Sequence, residues 1–155
     1  LEEEMRQIEV FVAIQSMRTG VALEYRDETE DSARRALVPR LILQPIVENA
    51  IEHGIREART THGVVSIRGE ITSDHLRVTV EDDGVGISHG IAHRLMTGSG
   101  PRGNSGYGFW NVRERLRLHY GDDASITIQP DRNGGTVVAI VIPSTFGGEL
   151  STLQR

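Results

Sequence analysis

The stretch LRVTVEDDGVGIS, Leu76–Ser88, begins with a regular strand pattern and ends in acidic residues and glycines. Leu76, Val78 and Val80 recur at every second position, and Asp82 continues the same series. Side chains alternate between the two faces of a strand, so Asp82 should point to the core side of a sheet if the register is kept. The stretch therefore predicts a strand that carries a buried carboxylate at its end.

A carboxylate at a core position needs a partner, because burying an unpaired charge is costly. No Lys or Arg lies nearby in phase with Asp82, while Gly84 and Gly86 leave room for a group to approach the backbone closely. The amino group of a planar base would suit this carboxylate. The alternative is that Asp82 and Asp83 only form a turn before a glycine.

Upstream, the stretch QPIVENAIEHG, Gln44–Gly54, is typical of an amphipathic helix, which Pro39 or Pro45 would open. Its apolar residues share one arc of a helical wheel: Leu43, Ile46, Val47, Ala50 and Ile51. The opposite arc carries polar side chains: Glu48, Asn49 and Glu52, with His53 at its edge. Asn is a poor helix former but a good oxygen ligand for Mg²⁺. The polar arc is therefore either a ligand-binding face or an ordinary solvated surface.

Downstream, GYGFWNVRERL, Gly106–Leu116, places two glycines at the start of a predicted helix. Free backbone N–H groups and the helix dipole at such a position favour an anion. The G-x-G-x-x-G match at 98–103 lacks the preceding strand of a dinucleotide-binding loop. We therefore expect the backbone at Gly106 and Gly108 to bind phosphate. The alternative is that the two glycines only make the start of the helix flexible.

The remaining pattern predicts one α+β domain over residues 1–155, a two-layer α/β sandwich. A mixed, mainly antiparallel sheet would be covered on one face by helices. Residues 1–20 read as an amphipathic helix that begins abruptly, which suggests a lead-in helix cut from a longer one. Residues 84–108 show no regular period and are rich in glycine, so we expect a lid over a ligand. Residues 144–155 are expected to form a flexible tail.

Composition excludes several classes of protein. The net charge of −5 argues against a nucleic-acid surface, and it also opposes a bound nucleotide unless local groups or a metal overcome it. Without cysteine, the chain has neither disulfides nor thiolate metal sites. Its longest apolar run, Val137–Ile142, is far too short to cross a bilayer. A cytoplasmic location is the expectation.

Taken together, the three stretches resemble the motifs of the GHKL superfamily of gyrase, heat-shock chaperone, histidine kinase and MutL ATPases. QPIVENAIEHG is similar to the N box, DDGVG to the D-x-G-x-G box, GYGFWNVRERL to the second glycine box, and GGTVVAIVIP to the closing strand. More narrowly, LQPIVENAIEHG with GFWNVRERL resembles sensor histidine kinases of the LytS type. The resemblance implies a Bergerat-type ATP-binding fold.

The resemblance also implies ATP and Mg²⁺ as cofactors and assigns roles to particular residues. Asn49 would coordinate Mg²⁺, and Glu48 would polarise the attacking group or water. The nucleotide would be held by the remaining residues: Asp82 at the adenine amino group, Gly84 and Gly86 beside the base, Gly106 and Gly108 at the phosphates, and Thr136 at the adenine pocket. Where the family frequently has Lys or Arg, this chain has Glu52. A carboxylate cannot donate to phosphate, so His53, Arg102 or Arg113 would replace that contact.

The implied activity is transfer of the γ-phosphoryl group of Mg-ATP to a histidine on a separate dimerisation domain. None of the six histidines lies in the acceptor context of the family, so the acceptor would belong to another part of a membrane-anchored, homodimeric parent that serves a response regulator. Two alternatives remain open. One is a non-catalytic nucleotide sensor, and the other is a protein-serine kinase of the anti-sigma type.

Overall fold

A computed structural model describes residues 1–97, 106–132 and 134–145. Within these ranges five strands form one mixed sheet in the order β1-β2-β3-β5-β4. The strands are β1 (Ala22–Asp27), β2 (His62–Thr72), β3 (His75–Asp82), β4 (Ser125–Pro130) and β5 (Thr136–Pro143). Only β1 and β2 pair in parallel, and the other three pairs are antiparallel. The mixed, mainly antiparallel sheet that the sequence predicts is thus confirmed.

The alternation in β3 shows which face of the sheet is covered. Leu76, Val78, Val80 and Asp82 are buried, whereas Arg77 and Glu81, which lie between them, are exposed. The buried face joins helical residues in one hydrophobic core. One face of the sheet therefore carries the helices, as expected for a two-layer α/β sandwich.

Two long helices follow the sequence pattern closely. Helix α1 (Glu2–Thr19) buries Met5, Ile8 and Val12 at helical spacing and ends at Gly20, which has a left-handed backbone. Helix α5 (Tyr107–Tyr120) buries its apolar stripe, Phe109, Val112 and Leu116. Both helices lie where the periodicity places them.

The helix predicted over 39–54 begins at Gln44 rather than at Pro39. It also changes from an α-helix to a π-helix after Asn49. Between β1 and this region, α2 (Asp31–Arg34) forms a single helical turn. Helix α3 (Gln44–Asn49) has Pro45 in its first turn and continues as a π-helix over Ala50–Ile55. Leu41 has a φ of +59°, which no helix can include, and this explains why Pro39 does not open the helix.

A side chain from α1 caps the start of α3. The buried Glu4 carboxylate accepts hydrogen bonds from the backbone N–H groups of Leu41 and Leu43. From the other side, Arg115 of α5 donates to the carbonyl oxygens of Arg40 and Leu41. The entry to α3 is therefore fixed by two other helices rather than by its own sequence.

The predicted lid contains regular structure that periodicity missed. Helix α4 (His89–Met96) lies within it, and the Ser88 hydroxyl caps the helix by accepting from the Ile91 N–H at 3.3 Å. Eight residues are too few for a clear helical period, so the pattern could not reveal this helix. The rest of the lid at 98–105, including Arg102, and most of the predicted tail, 146–155, lie outside the described residues.

Candidate functional site

A cavity of about 310 Å³ opens where the end of β3 meets α3, its π-helical extension, α4 and α5. This volume is at the lower end of the range typical of small-molecule sites. Much of its lining is apolar: Ile46, Ala50, Val80, Val85, Ile87, Ile91, Leu95, Phe109, Ile128 and Val138. The polar lining includes Asn49, His53, Glu57, Asp82, Arg94 and Thr136. An apolar slot with a few polar groups suits a planar, partly polar ligand.

Asp82 lies in this cavity with its carboxylate buried. It is the last residue of β3 and sits opposite Thr136 of β5 in the strand register. Desolvation raises the Asp82 pKa to about 6, and the nearby charge of Asp83 adds to this effect. Hydrogen bonds from the Gly84 backbone N–H, at 2.9 Å, and from Thr136 oppose the rise. The site therefore holds a strongly desolvated acceptor next to a hydroxyl.

Backbone crowding around Asp82 explains several of the glycines. A Cβ on Gly84 would lie 2.1 Å from the carbonyl carbon of Gly54, and one on Gly54 would lie 2.5 Å from Asp82 Oδ1. Gly135, with a φ of +87°, passes so close to Asp82 that a Cβ would lie 1.8 Å from its carbonyl oxygen. Gly86 also has a positive φ and lines the cavity. These contacts give the glycines a packing role, whereas the sequence suggested only space for a base.

Asn49 approaches the cavity from the end of α3. It lies against the start of α5, where a Cβ on Gly108 would come within 2.5 Å of Asn49 Nδ2 and 2.8 Å of the Pro45 carbonyl oxygen. Within the described residues, the Asn49 side chain has no hydrogen-bond partner, so its amide oxygen is available to a ligand. Gly106, which precedes α5 with a φ of +93°, provides no side-chain cap, and no described residue accepts from the first N–H groups of that helix, where an anion would be favoured.

The acidic and basic residues after Asn49 are mostly engaged with one another. His53 lines the cavity and its Nδ1 lies 3.1 Å from Glu57 Oε1. Glu52 pairs with Arg18 of α1 at 2.8 Å and with Arg56. Glu52 therefore faces α1 and forms no part of the cavity lining.

Arg113 is also engaged elsewhere. Its Nη1 donates to the Leu95 carbonyl oxygen at 2.9 Å, and its guanidinium lies 5.5 Å from the centre of the Trp110 ring. Arg113 therefore fastens α5 to α4, and it is not among the residues that line the cavity. This geometry argues against Arg113 as a phosphate ligand in the described arrangement.

The structure brings six of the nine candidate residues to one cavity: Asn49, His53, Asp82, Gly86, Gly106 and Thr136. Glu48, Gly84 and Gly108 do not line it. Glu48 is half-buried and accepts a hydrogen bond from Gln44 Nε2 at 2.9 Å. Sequence reasoning missed Gly54, which lines the cavity, and Gly135, which packs against Asp82. Gly54 ends one of the motifs that it singled out, and Gly135 is the second residue of another. Sequence reasoning also missed Arg94, because that residue lies in the segment 84–108, where the sequence shows neither helical nor strand periodicity.

No metal centre made of several side chains is present in the described part of the chain. Among residues 1–97, 106–132 and 134–145, no group of three or more His, Asp or Glu side chains is arranged to hold a metal ion. A magnesium ion bound here would depend on few protein ligands, which is how Mg²⁺ commonly binds beside phosphates. No helix in the same ranges is long and apolar enough to cross a membrane.

A family model and several curated relatives match the chain. The model, described as histidine kinase-, DNA gyrase B-, and HSP90-like ATPase, covers residues 36–145. The sensor histidine kinase YesM of Bacillus subtilis (strain 168) is 31% identical over 143 residues, which are 92% of this chain and 23% of YesM. The sensor protein kinase HptS of Staphylococcus aureus (strain USA300) is 31% identical over 153 residues, 95% of this chain and 28% of HptS. The chain thus spans about a quarter of the length of these relatives.

A solved structure shows the same fold. The nucleotide-free catalytic domain of histidine kinase ThkA superposes with a TM-score of 0.70 at 22% identity, covering 92% of this chain and 91% of that domain. ThkA has also been solved in complex with the response regulator protein TrrA. The matched segment 36–145 contains every candidate site residue, and the chain has the fold of a histidine kinase catalytic domain. The chain therefore belongs to the family of histidine kinase-, DNA gyrase B- and HSP90-like ATPases.

Proposed function

We propose that this chain is the ATP-binding catalytic domain of a two-component sensor histidine kinase. It would transfer the γ-phosphoryl group of Mg-ATP to a histidine on a separate dimerisation domain. The observation that carries the proposal is the buried Asp82 carboxylate in an apolar cavity that also reaches Asn49 and the start of α5. An acceptor, an oxygen ligand and free helix N–H groups thus meet in one place.

The residues present fit an adenine nucleotide. The apolar lining, including Ala50, Val80 and Val138, can pack against a planar base, while Asp82 accepts from its amino group. Thr136, beside Asp82 on β5, would complete the adenine contacts. Because Asp82 is desolvated, the amino group of the base would add a donor to the carboxylate besides the Gly84 N–H and Thr136. A guanine base presents a carbonyl at the corresponding position, and a carbonyl cannot donate to Asp82.

The residues also fit a magnesium ion. The Asn49 amide oxygen, which has no partner in the described part of the chain, would be the protein ligand. When bound, Mg²⁺ neutralises phosphate charge that the net charge of −5 would otherwise oppose. The N–H groups at the start of α5, after Gly106 and Gly108, would hold phosphate oxygens.

Glu48 would act on the acceptor rather than on the nucleotide. Its carboxylate is half-buried, neighbours Asn49 in the chain and lies outside the cavity lining. An acceptor supplied by another domain must approach from outside the cavity. Glu48 would hold the proton of that incoming nucleophile and orient it.

The partners follow from the same proposal. The dimerisation domain of the parent would supply the acceptor histidine, and a response regulator would then receive the phosphoryl group. The parent would be a membrane-anchored homodimer with this domain in the cytoplasm. YesM and HptS are sensor kinases more than three times as long as this chain, which leaves room in such a parent for the further domains.

Phosphoryl transfer in trans tests this function. We would incubate the chain with γ-labelled ATP and Mg²⁺, alone and together with the histidine-bearing helical region of the parent. We expect acid-labile label on the added region and none on the chain itself. Asn49→Ala should abolish the labelling, whereas Gln129→Ala, which removes an exposed amide on β4, should not.

The chemical stability of the label separates the alternatives. Acid-stable label on an added protein would indicate a serine kinase and contradict the proposal. ATP binding without any transfer to the histidine-bearing region would indicate a nucleotide sensor. Efficient labelling of the chain alone would place the acceptor among its own six histidines.

A further inference from the structure

Arg94 places a positive charge in the cavity wall, and one of its nitrogen atoms lacks a hydrogen-bond partner among the described residues. Arg94 lies on α4, is half-buried and lines the cavity. Its Nε is buried and has no hydrogen-bond partner in the part of the chain that the structure describes. No carboxylate of the described residues pairs with it. Among the described lining residues it is also the only Lys or Arg.

The helix that presents Arg94 is held in place on both sides. The Ser88 hydroxyl caps its start, and Ala92 and Leu95 are buried. Arg113 of α5 donates to the Leu95 carbonyl oxygen at 2.9 Å. A Cβ on Gly106 would lie 2.7 Å from Leu95 Cδ2, so α4 and the start of α5 are in direct contact. Arg94 therefore lies next to the wall that carries the free N–H groups of α5.

The charge distribution favours a cation at this wall. Glu57 and Asp82 line the cavity and the net charge is −5, so the field opposes an anion. Glu52 occupies the position of a basic family residue and is itself neutralised by Arg18 and Arg56 outside the cavity. A positive side chain from another element would lower the cost of bringing a polyanion into this cavity.

We propose that Arg94 binds a phosphate group of the nucleotide and replaces the basic contact missing at Glu52. This inference rests on the proposed function, because it takes the ligand to be an adenine nucleotide. The guanidinium offers a planar fork of donors that matches two phosphate oxygens, and no carboxylate of the described residues competes for it. Arg94 would thus distinguish nucleotides by their phosphates, while Asp82 distinguishes the base.

Binding of adenosine, ADP and ATP to the 155-residue chain separates these two contacts. Calorimetry would compare wild type with Arg94→Gln and Arg94→Lys. We expect Arg94→Gln to weaken ATP binding about tenfold or more, as for loss of a hydrogen bond between charged groups, and to leave adenosine binding unchanged. Arg94→Lys should recover part of the loss, because it keeps the charge without the fork.

Arg77→Gln serves as the matched control. Arg77 is exposed on the outer face of β3 and pairs with Glu70, so its removal changes the net charge by the same amount without touching the cavity. It should leave ATP affinity within about twofold of wild type, since distant surface charges are screened by salt.

Four results would overturn the inference. ATP affinity unchanged by Arg94→Gln would show that Arg94 makes no phosphate contact. An equal loss for adenosine and ATP would show that Arg94 only supports the fold of the cavity. Wild-type protein that binds adenosine but gains nothing from the phosphates would remove the phosphate site while leaving the adenine site intact. A chain that binds neither adenosine nor ATP would overturn the proposed function as well.

Discussion

Replacing Asp82 by asparagine tests what the buried carboxylate does to the free domain. Desolvation raises the Asp82 pKa to about 6, against 3.8 for an unburied carboxyl group. Each pKa unit corresponds to about 1.4 kcal/mol, so the ionised carboxylate lowers the free energy of unfolding by about 3 kcal/mol at neutral pH. Ionised Asp82 therefore destabilises the free domain, although the same carboxylate would bind the nucleotide.

The sign of the pH dependence follows from proton binding. The native state holds the Asp82 proton more tightly than the unfolded chain does. The stability linked to this proton is fully present below the unfolded pKa of 3.8 and is lost as the pH rises through about 6. Asparagine stays neutral at every pH, and its amide oxygen can still accept the Gly84 N–H that Asp82 accepts at 2.9 Å.

We therefore expect Asp82→Asn to raise the free energy of unfolding by up to about 3 kcal/mol at about pH 8, with no gain at about pH 4. Urea unfolding followed by circular dichroism at a series of pH values measures this difference. Asp74→Asn, which removes an exposed carboxylate in the β2–β3 turn, is the control and should show no comparable gain. In calorimetry, the same Asp82 variant should lose adenosine binding.

Two results would refute this reasoning. A stability difference between wild type and Asp82→Asn that is the same at every pH would show that burial does not perturb the carboxyl group. A folded variant with unchanged adenosine affinity would remove Asp82 from the binding site.

Three further predictions concern contacts around the site. Glu4→Gln should lower the free energy of unfolding by roughly 1.5–3 kcal/mol in urea titrations, because Glu4 provides a charged acceptor for the N–H groups at the start of α3; an unchanged midpoint would contradict that role. Gly108→Ala should weaken ATP binding in the presence of Mg²⁺ more than it weakens adenosine binding, because the added methyl group displaces the Asn49 amide. Equal losses for the two ligands would argue that the glycine only supports packing. The adenosine affinity of the wild type should fall about tenfold per pH unit below about pH 6, where Asp82 becomes protonated. Calorimetry with adenosine measures this fall without the titration of a phosphate group. An affinity that does not change with pH would contradict the contact between Asp82 and the base.

The sequence predicted those parts of the fold that follow local rules. Alternation along β3 placed Asp82 on the buried face, because side chains on a strand alternate whatever surrounds them. Helical spacing likewise predicted α1, which buries Met5, Ile8 and Val12. The same spacing separated the polar arc from the apolar arc of the helix after Gln44.

The remaining features depend on contacts between distant segments. The π-helical turn at Ala50–Ile55 brings the Gly54 carbonyl to the Val85 N–H at 3.1 Å, and no periodicity in the sequence specifies that contact. Arg94 lies on a helix of eight residues, too short to show a period and held in place by Arg113 of another helix. The start of α3 is set by Glu4, which lies about forty residues earlier in the chain.

The function proposed for this chain depends on the binding of an adenine nucleotide in the cavity beside Asp82. A crystal structure of the chain with Mg²⁺ and a non-hydrolysable ATP analogue would test this binding. We expect the adenine amino group within hydrogen-bond distance of Asp82, the metal ion on the Asn49 amide oxygen, and phosphate oxygens on Arg94 and the first N–H groups of α5. An analogue bound outside this cavity, or one whose base lies away from Asp82, would refute the proposed site.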